Sequence, residues 1–195
     1  SHVHLAQRIM DDIIDLELEK IDFILQKIED DPESDEIKRV ERNLWLNIRN
    51  KAEEGRRTGI GITAEGDMLA ALDLKYGSED AIDFSEEVHK TVALEAYRSS
   101  VNLAKERGPF PIYSPEREKN NPLIRRIHHV DPELYEEMIS YGRRNIALLT
   151  IAPTGTTSLM TQTTSGIEPV FMPVYRRRRK VNPNDKDVRV DYVDE

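Results

Sequence analysis

The sequence predicts an α/β fold, helix-rich with a few mostly parallel strands, forming part of a large barrel. Three observations carry this reading. Residues 57–63, Arg-Thr-Gly-Ile-Gly-Ile-Thr, form a short β-branched stretch with alternating glycines. Residues 145–151, Asn-Ile-Ala-Leu-Leu-Thr-Ile, form a nearly continuous apolar run of strand length, the pattern of a strand buried on both faces. Long helical segments separate the two, and strands joined by helical crossovers pair in parallel. The opening pair of helices is also too long for a small α/β domain.

Taken in order, residues 5–28 read as a long amphipathic helix. Ile9, Ile13, Leu16, Ile21, Ile24, Leu25 and Ile28 recur mostly at three- and four-residue steps. Pro32 stops it, since proline restricts the residue before it and donates no hydrogen bond. A second helix covers about 36–54, with Ile37, Val40, Leu44, Ile48 and Ala52 on one face, and Gly55 ends it. The glycines of the 57–63 strand are expected to let another backbone or a ligand come close. Residues 67–75 form a short helix closed by Gly77. Asp83 and Glu86 resemble a capping box that opens a long helix, which stops at Gly108-Pro109. Residues 110–121 are rich in proline and charge and read as a loop. Asp131-Pro132 is an N-cap with proline at the first helical position, opening a helix to about Tyr141. Residues 170–193 read as a strand, a turn at Asn182-Pro183-Asn184 and a second strand.

The chain has 195 residues, 38% hydrophobic and 33% charged, which suits one globular domain or a portion of a larger one. A mean hydropathy of -0.61 and the lack of any long apolar run exclude a membrane-spanning helix. The start, Ser1-His2-Val3-His4, shows no charged leader before an apolar stretch, so no secretory signal is expected. A formal charge of -9 argues against a general nucleic-acid binder. There is no cysteine, which removes disulfides, thiolate metal sites and thiol nucleophiles from this chain and fits a reducing cytoplasm.

The candidate site is Ala152-Pro153-Thr154-Gly155-Thr156-Thr157-Ser158, between the buried strand and a segment able to begin a helix. Pro153 sets φ at the entry and Gly155 lets the backbone turn. Four hydroxyls, from Thr154, Thr156, Thr157 and Ser158, accompany the free N–H groups of a helix start and the positive end of its dipole. That is an anion cradle suited to phosphate. The same residues also suit a hydroxyl-rich turn that only caps its helix, and local spacing leaves the two open. The Walker spacing and its lysine are not present.

Other polar features read as structural. Glu168, in Ser165-Gly166-Ile167-Glu168-Pro169, reads as a solvated turn residue. The basic run Arg176-Arg177-Arg178-Arg179-Lys180 is split between two faces of a strand, favouring salt bridges, or one or two phosphate contacts, over a nucleic-acid surface. His128 and His129 are adjacent and do not share a face, so they make no bidentate metal site. Asp11, Asp12, Asp15, Glu17 and Glu19 belong to a solvated helix face. No metal ligands and no acid–base residues are assigned.

Several stretches in one order resemble the large chain of adenosylcobalamin-dependent, class II ribonucleotide reductases. They are Arg56-Arg57-Thr58-Gly59-Ile60-Gly61-Ile62-Thr63, Gly66-Asp67-Met68-Leu69-Ala70-Ala71-Leu72, Glu95-Ala96-Tyr97-Arg98-Ser99-Ser100 and Arg107-Gly108-Pro109-Phe110. Tyr141-Gly142-Arg143-Arg144-Asn145, Ile151-Ala152-Pro153-Thr154-Gly155-Thr156 and Thr164-Ser165-Gly166-Ile167-Glu168-Pro169 continue the series, with the Arg-rich strand after them. Each motif alone is weak; the ordered set is specific.

The resemblance implies a ten-stranded α/β barrel in which ribonucleotides become 2′-deoxyribonucleotides through a thiyl radical. Adenosylcobalamin generates the radical, and a redox cysteine pair served by a thioredoxin-type reductant supplies electrons. It implies that residues 152–158 hold the substrate's phosphates. The family's radical cysteine loop, redox cysteines and effector region have no counterpart here. The chain is therefore expected to be an internal piece of the enzyme, inactive alone and not itself holding cobalamin. Its expected organisation is a partial barrel over 1–195: a helical pair at 1–55, an α/β segment with the phosphate loop at 56–169, and strand-turn-strand at 170–195. Exposed sheet edges would allow copies to associate as a homo-oligomer. Ala64-Glu65 departs from the glycine and apolar residue common in the family. The alternatives are a stand-alone phosphate- or nucleotide-binding module, and a helical interaction domain.

Overall fold

A computed structural model of the chain describes residues 1–172, 174–179 and 189–194. In chain order its elements are α1 (His2–Asp30), α2 (Asp35–Gly55), α3 (Glu65–Ala71), α4 (Glu79–Arg107), α5 (Pro115–Glu118), α6 (Pro122–Val130), α7 (Pro132–Tyr141), α8 (Gly155–Thr161), β1 (Tyr175–Arg179) and β2 (Arg189–Asp194). They fall into two compact units, Ser1–Gly61 with Asp83–Ile151, and Ile62–Ile82 with Ala152–Glu195.

In the first unit α1 packs on α2. The α1 positions that are buried are Gln7, Asp11, Ile14, Ile21 and Ile28, with Leu18 and Leu25 half-buried between them. This is a seam at alternating three- and four-residue steps, the spacing that keeps one helix face on its neighbours. Its second half, with Ile21, Leu25 and Ile28, is the face that hydrophobicity selects, but its first half is not. Ile9, Ile13 and Leu16 are about half exposed or more, at 49%, 47% and 61%, and Ile37, Val40 and Leu44 of α2 are exposed too. The reason is that the first turns of the seam are polar, because Gln7 and Asp11 belong to a buried hydrogen-bond network.

That network ties α1 to three later segments. Gln7 Nε2 donates to Thr58 Oγ1 at 3.1 Å and to Asn145 Oδ1 at 2.8 Å. Asp11 Oδ1 accepts from Arg56 Nε and from Asn145 Nδ2, both at 2.9 Å. Its Oδ2 accepts from Arg107 at 3.1 Å and Arg144 at 3.3 Å. Ser100 Oγ donates to Asn145 Oδ1 at 2.9 Å and accepts the Asn145 amide at 3.1 Å. A buried polar group costs stability unless it is paired, and here each named group has a partner. The apolar core of the unit lies beside it: Ala96, Tyr97 and Val101 of α4, Ile124 and Ile127 of α6, Leu134 and Met138 of α7, and Leu148.

The helix ends show which sequence signals act. Ser78, not Asp83, opens α4: its hydroxyl accepts the Ala81 amide at 3.3 Å and its carbonyl accepts the Ile82 amide at 3.0 Å. Gly108, at φ +85°, ends α4 in the left-handed conformation that glycine adopts without strain. Asp131 caps α7 as expected, its Oδ1 accepting the Leu134 amide at 3.0 Å. Residues 110–121 are not loop throughout, since they include α5. Asn121-Pro122 opens α6 by the same device as Asp131-Pro132, with Asn121 Oδ1 accepting the Leu123 amide at 2.9 Å.

The expected α/β barrel with mostly parallel strands is corrected by the structure. Among the described residues the chain is predominantly helical, and its sheet is the antiparallel pair β1–β2. Neither 57–63 nor 145–151 forms a strand. They run side by side in parallel and meet at one bridge, Ile60–Leu149. The Ile60 amide donates to Leu148 O at 2.7 Å and the Thr150 amide to Ile60 O at 2.9 Å. Among the described residues each stretch has the other as its one paired neighbour, and no ladder forms on its other side. Nor is 145–151 buried on both faces: Asn145 and Leu148 are buried, while Thr150 and Ile151 are exposed. The β-branched and apolar pattern marked extended backbone correctly, but extended backbone is a sheet only where neighbours exist. The expected turn at Asn182-Pro183-Asn184 lies outside the described residues, as do the side chains of the basic run 176–180.

Candidate functional site

The candidate loop lies in the second unit, where Ala152-Pro153 leads into α8. Its left-handed residue is Thr154, at φ 44°, and not Gly155. A threonine pays steric strain in that conformation, so it must be held by its surroundings. Thr154 Oγ1 accepts the Gly166 amide at 2.7 Å and lies 3.0 Å from Thr63 Oγ1. Ser158 is buried, and its hydroxyl donates to the Gly155 carbonyl at 2.9 Å. Two of the four hydroxyls expected to face an anion therefore serve the turn itself.

What remains open is the start of α8. The first helical bond runs from the Ser158 amide to Thr154 O at 2.8 Å. The amides of Gly155, Thr156 and Thr157 precede it, in the position where helical N–H groups lack an internal acceptor. All three residues are exposed. A Cβ placed on Gly155 would meet no atom within 4 Å beyond its own neighbours and helix backbone. Thr156 and Thr157 add exposed hydroxyls. The arrangement presents several donors and no acidic side chain of its own turn, which suits an anion.

The segment 63–67 supports the loop, and no role was assigned to it from sequence. Ala64 N donates to Thr164 O at 3.2 Å, and Glu65 N to Gly166 O at 3.3 Å. Asp67 Oδ2 accepts the Thr164 amide at 2.8 Å, while its own amide donates to Thr164 Oγ1 at 3.3 Å. A Cβ on Gly66 would lie 2.7 Å from Glu168 O and 2.9 Å from Pro169 Cα, so these backbones touch directly. Such contacts join residues about a hundred positions apart, and nothing in local spacing announces them. Glu168 is exposed, in keeping with a turn residue.

Ala64 sits at φ 66°, in the left-handed region. An alanine in that conformation carries strain. An L-residue there costs about 1–2 kcal/mol, partly offset by the extra freedom glycine has when unfolded. Ala64→Gly is accordingly expected to raise Tm by about 2 °C. A scanning calorimetry trace with a lowered Tm would refute this explanation.

The remaining candidates form no site. Carboxylate oxygens of Asp11, Asp12 and Asp15 lie within 4.8 Å of one another. Each is engaged by arginine: Asp11 by Arg56, Arg107 and Arg144, Asp12 by Arg107, and Asp15 by Arg56. His128 stacks on Tyr135 with ring centroids 4.1 Å apart. Among the described residues no helix is long and apolar enough to cross a membrane.

A family model described as ribonucleotide reductase, barrel domain, matches residues 2–191. The chain belongs to this family. Among relatives of the reductase family, a vitamin B12-dependent ribonucleoside-diphosphate reductase of Mycobacterium tuberculosis is 29% identical over 176 residues, covering 90% of this chain and 22% of that protein. A protein of the same name from Thermoplasma acidophilum is 34% identical over 117 residues, covering 60% of this chain and 13% of that protein. A ribonucleoside-diphosphate reductase subunit alpha of Chlamydia pneumoniae is 31% identical over 135 residues, again 60% of this chain and 13% of that protein. The chain thus spans about a fifth or less of the length of these reductases, 13–22%. The resemblance read from the ordered motifs is borne out. The family carries the name of a barrel, yet the described residues of this reductase segment close none.

A groove of about 470 Å³ between α1 and α2 is lined by Ile14, Leu44, Ile48 and Ala52 with Glu17, Asn47, Lys51 and Arg57.

Proposed function

We propose that this chain is a portion of a ribonucleotide reductase that converts ribonucleoside diphosphates to 2′-deoxyribonucleotides, and that residues 152–158 bind the substrate's phosphates. The observation that carries the reading is the open start of α8: three amides ahead of the first helical bond, on exposed residues, with clear space above Gly155. The diphosphate substrate rests on the names of the reductases in M. tuberculosis, T. acidophilum and C. pneumoniae. Two of those names support vitamin B12 dependence, and adenosylcobalamin bound elsewhere in the full-length enzyme would supply the initiating radical. The cysteine that carries the radical and the pair recharged by a thioredoxin-type reductant also belong elsewhere, because this chain has no cysteine. A cytoplasmic location suits that reducing chemistry.

Within this chain the work is binding and orientation. The amides of Gly155, Thr156 and Thr157 donate to phosphate oxygens, the Thr156 and Thr157 hydroxyls add donors, and the helix dipole favours the negative charge. The test is a pair of variants in the full-length reductase. Thr156→Val removes a hydroxyl and is expected to weaken CDP binding by about 5- to 100-fold, corresponding to about 1–3 kcal/mol. Gly155→Val is expected to weaken it as well, by filling the space above the amides rather than by straining the turn. Unchanged CDP affinity in either variant, at an unchanged Tm, would sink the assignment.

A further inference from the structure

The loop can bind an anion only if its strained entry holds still, and the groups that hold it come from elsewhere in the sequence. Thr154 is left-handed at φ 44°, and every hydrogen bond described for its side chain is to the 63–67 segment or to Gly166. The three hydroxyl and amide groups order into one directional chain. The Gly166 amide donates to Thr154 Oγ1 at 2.7 Å and, more weakly, to Thr63 Oγ1 at 3.2 Å, the Thr154 hydroxyl donates to Thr63 Oγ1 at 3.0 Å, and the Thr63 hydroxyl donates to Thr164 O at 3.2 Å. In that order each hydroxyl donates its one proton and accepts at least one hydrogen bond. The Asp67 carboxylate then fixes Thr164 through its amide at 2.8 Å, a hydrogen bond to a charged acceptor and so a strong one. Gly66, with no room for a Cβ against residues 168–169, locks the two backbones together.

We propose that Thr63 and Asp67 are positioning residues for the 152–158 loop, acting on it through Thr154 and Thr164. Neither touches the ligand. They hold Thr154 in the conformation from which α8 starts, and so aim the Gly155, Thr156 and Thr157 amides. The proposal rests on the phosphate reading of the loop. Losing Thr63 should lower affinity without altering the chemistry that follows binding.

The experiment measures CDP affinity, KM, kcat and Tm in the full-length reductase for wild type, Thr156→Val, Thr63→Val and Thr63→Ser. Thr63→Val is expected to weaken CDP binding and raise KM roughly ten-fold while kcat stays within about two-fold. Thr63→Ser keeps the hydroxyl and is expected to restore affinity, which a purely structural role for the side-chain volume would not do. If Thr63→Val fails to fold, Asp67→Asn takes its place. It keeps the shape and a weaker acceptor, with an intermediate loss of affinity expected at unchanged kcat. Wild-type affinity in Thr63→Val or Asp67→Asn, with Thr156→Val weakened, overturns the positioning role alone. Wild-type affinity in Thr156→Val overturns the phosphate reading and this proposal with it.

Discussion

Asp11→Ala is expected to destabilise the chain by about 3–5 kcal/mol, the cost of stranding a buried charge. The Asp11 carboxylate is fully buried and faces Arg56, Arg107, Arg144 and Asn145. Removing it leaves the Arg56 guanidinium, 4% exposed, with Asp15 as its one ionic partner among the described residues. Asn145 loses an acceptor in the same step, and with it part of its grip on α1. Asp12 gives the contrast. It sits next in sequence and pairs with Arg107, but its side chain is 56% exposed, so Asp12→Ala should cost under about 1 kcal/mol. Urea unfolding of the two variants measures the difference. Equal midpoints would show that the buried network contributes little.

The same carboxylate makes a pH dependence. Burial by itself pushes the Asp11 carboxyl up, but hydrogen bonds from Arg56 and Asn145 and the charges of Arg56 and Arg144 outweigh it and hold the group below its ordinary 3.8. A group depressed on folding adds stability above its unfolded value and loses it as pH falls through the folded one. Stability should therefore decline as pH drops below about 4, and Asp11→Ala should flatten that decline.

Gly61→Val is expected to cost about 3 kcal/mol or more, through a steric conflict between backbones. A Cβ on Gly61 would stand 2.0 Å from Thr150 O and 3.1 Å from Thr150 C. Neither atom is the end of a flexible side chain, so the two extended segments must part. Parting them breaks the hydrogen bonds of the Ile60 amide to Leu148 O and of the Thr150 amide to Ile60 O. Gly155→Ala is the control, since its new methyl meets nothing within 4 Å. Thermal unfolding should show a large loss for the first and none for the second. A tolerated Gly61→Val would mean that the close approach does not hold the segments together.

Much of the helical layout was legible because its signals are local. The Asp131-Pro132 cap, the break at Pro32 and the stop at Gly108 act through their own backbone, and the structure uses all three. Asn121-Pro122 is an equally local signal, masked by the proline- and charge-rich stretch around it. The buried face of α1 was not legible, since Gln7 and Asp11 are inside only because Thr58, Asn145 and three arginines meet them there. The barrel is not legible for a related reason: residues 57–63 and 145–151 have strand composition, but pairing depends on neighbours. In the first unit the glycines at 59 and 61 mark a close approach as expected, whereas at the site in the second unit Thr154's left-handed turn and its support by Thr63 and Asp67 are hidden by sequence separation.

The start of α8 is proposed to bind the substrate's phosphates. The most direct test is the CDP affinity of the Gly155→Val full-length reductase, measured beside its Tm. The account predicts a loss of affinity of roughly ten-fold or more at a Tm within about 2 °C of wild type, because the new side chain fills space outside the fold. Wild-type affinity at wild-type Tm would contradict it.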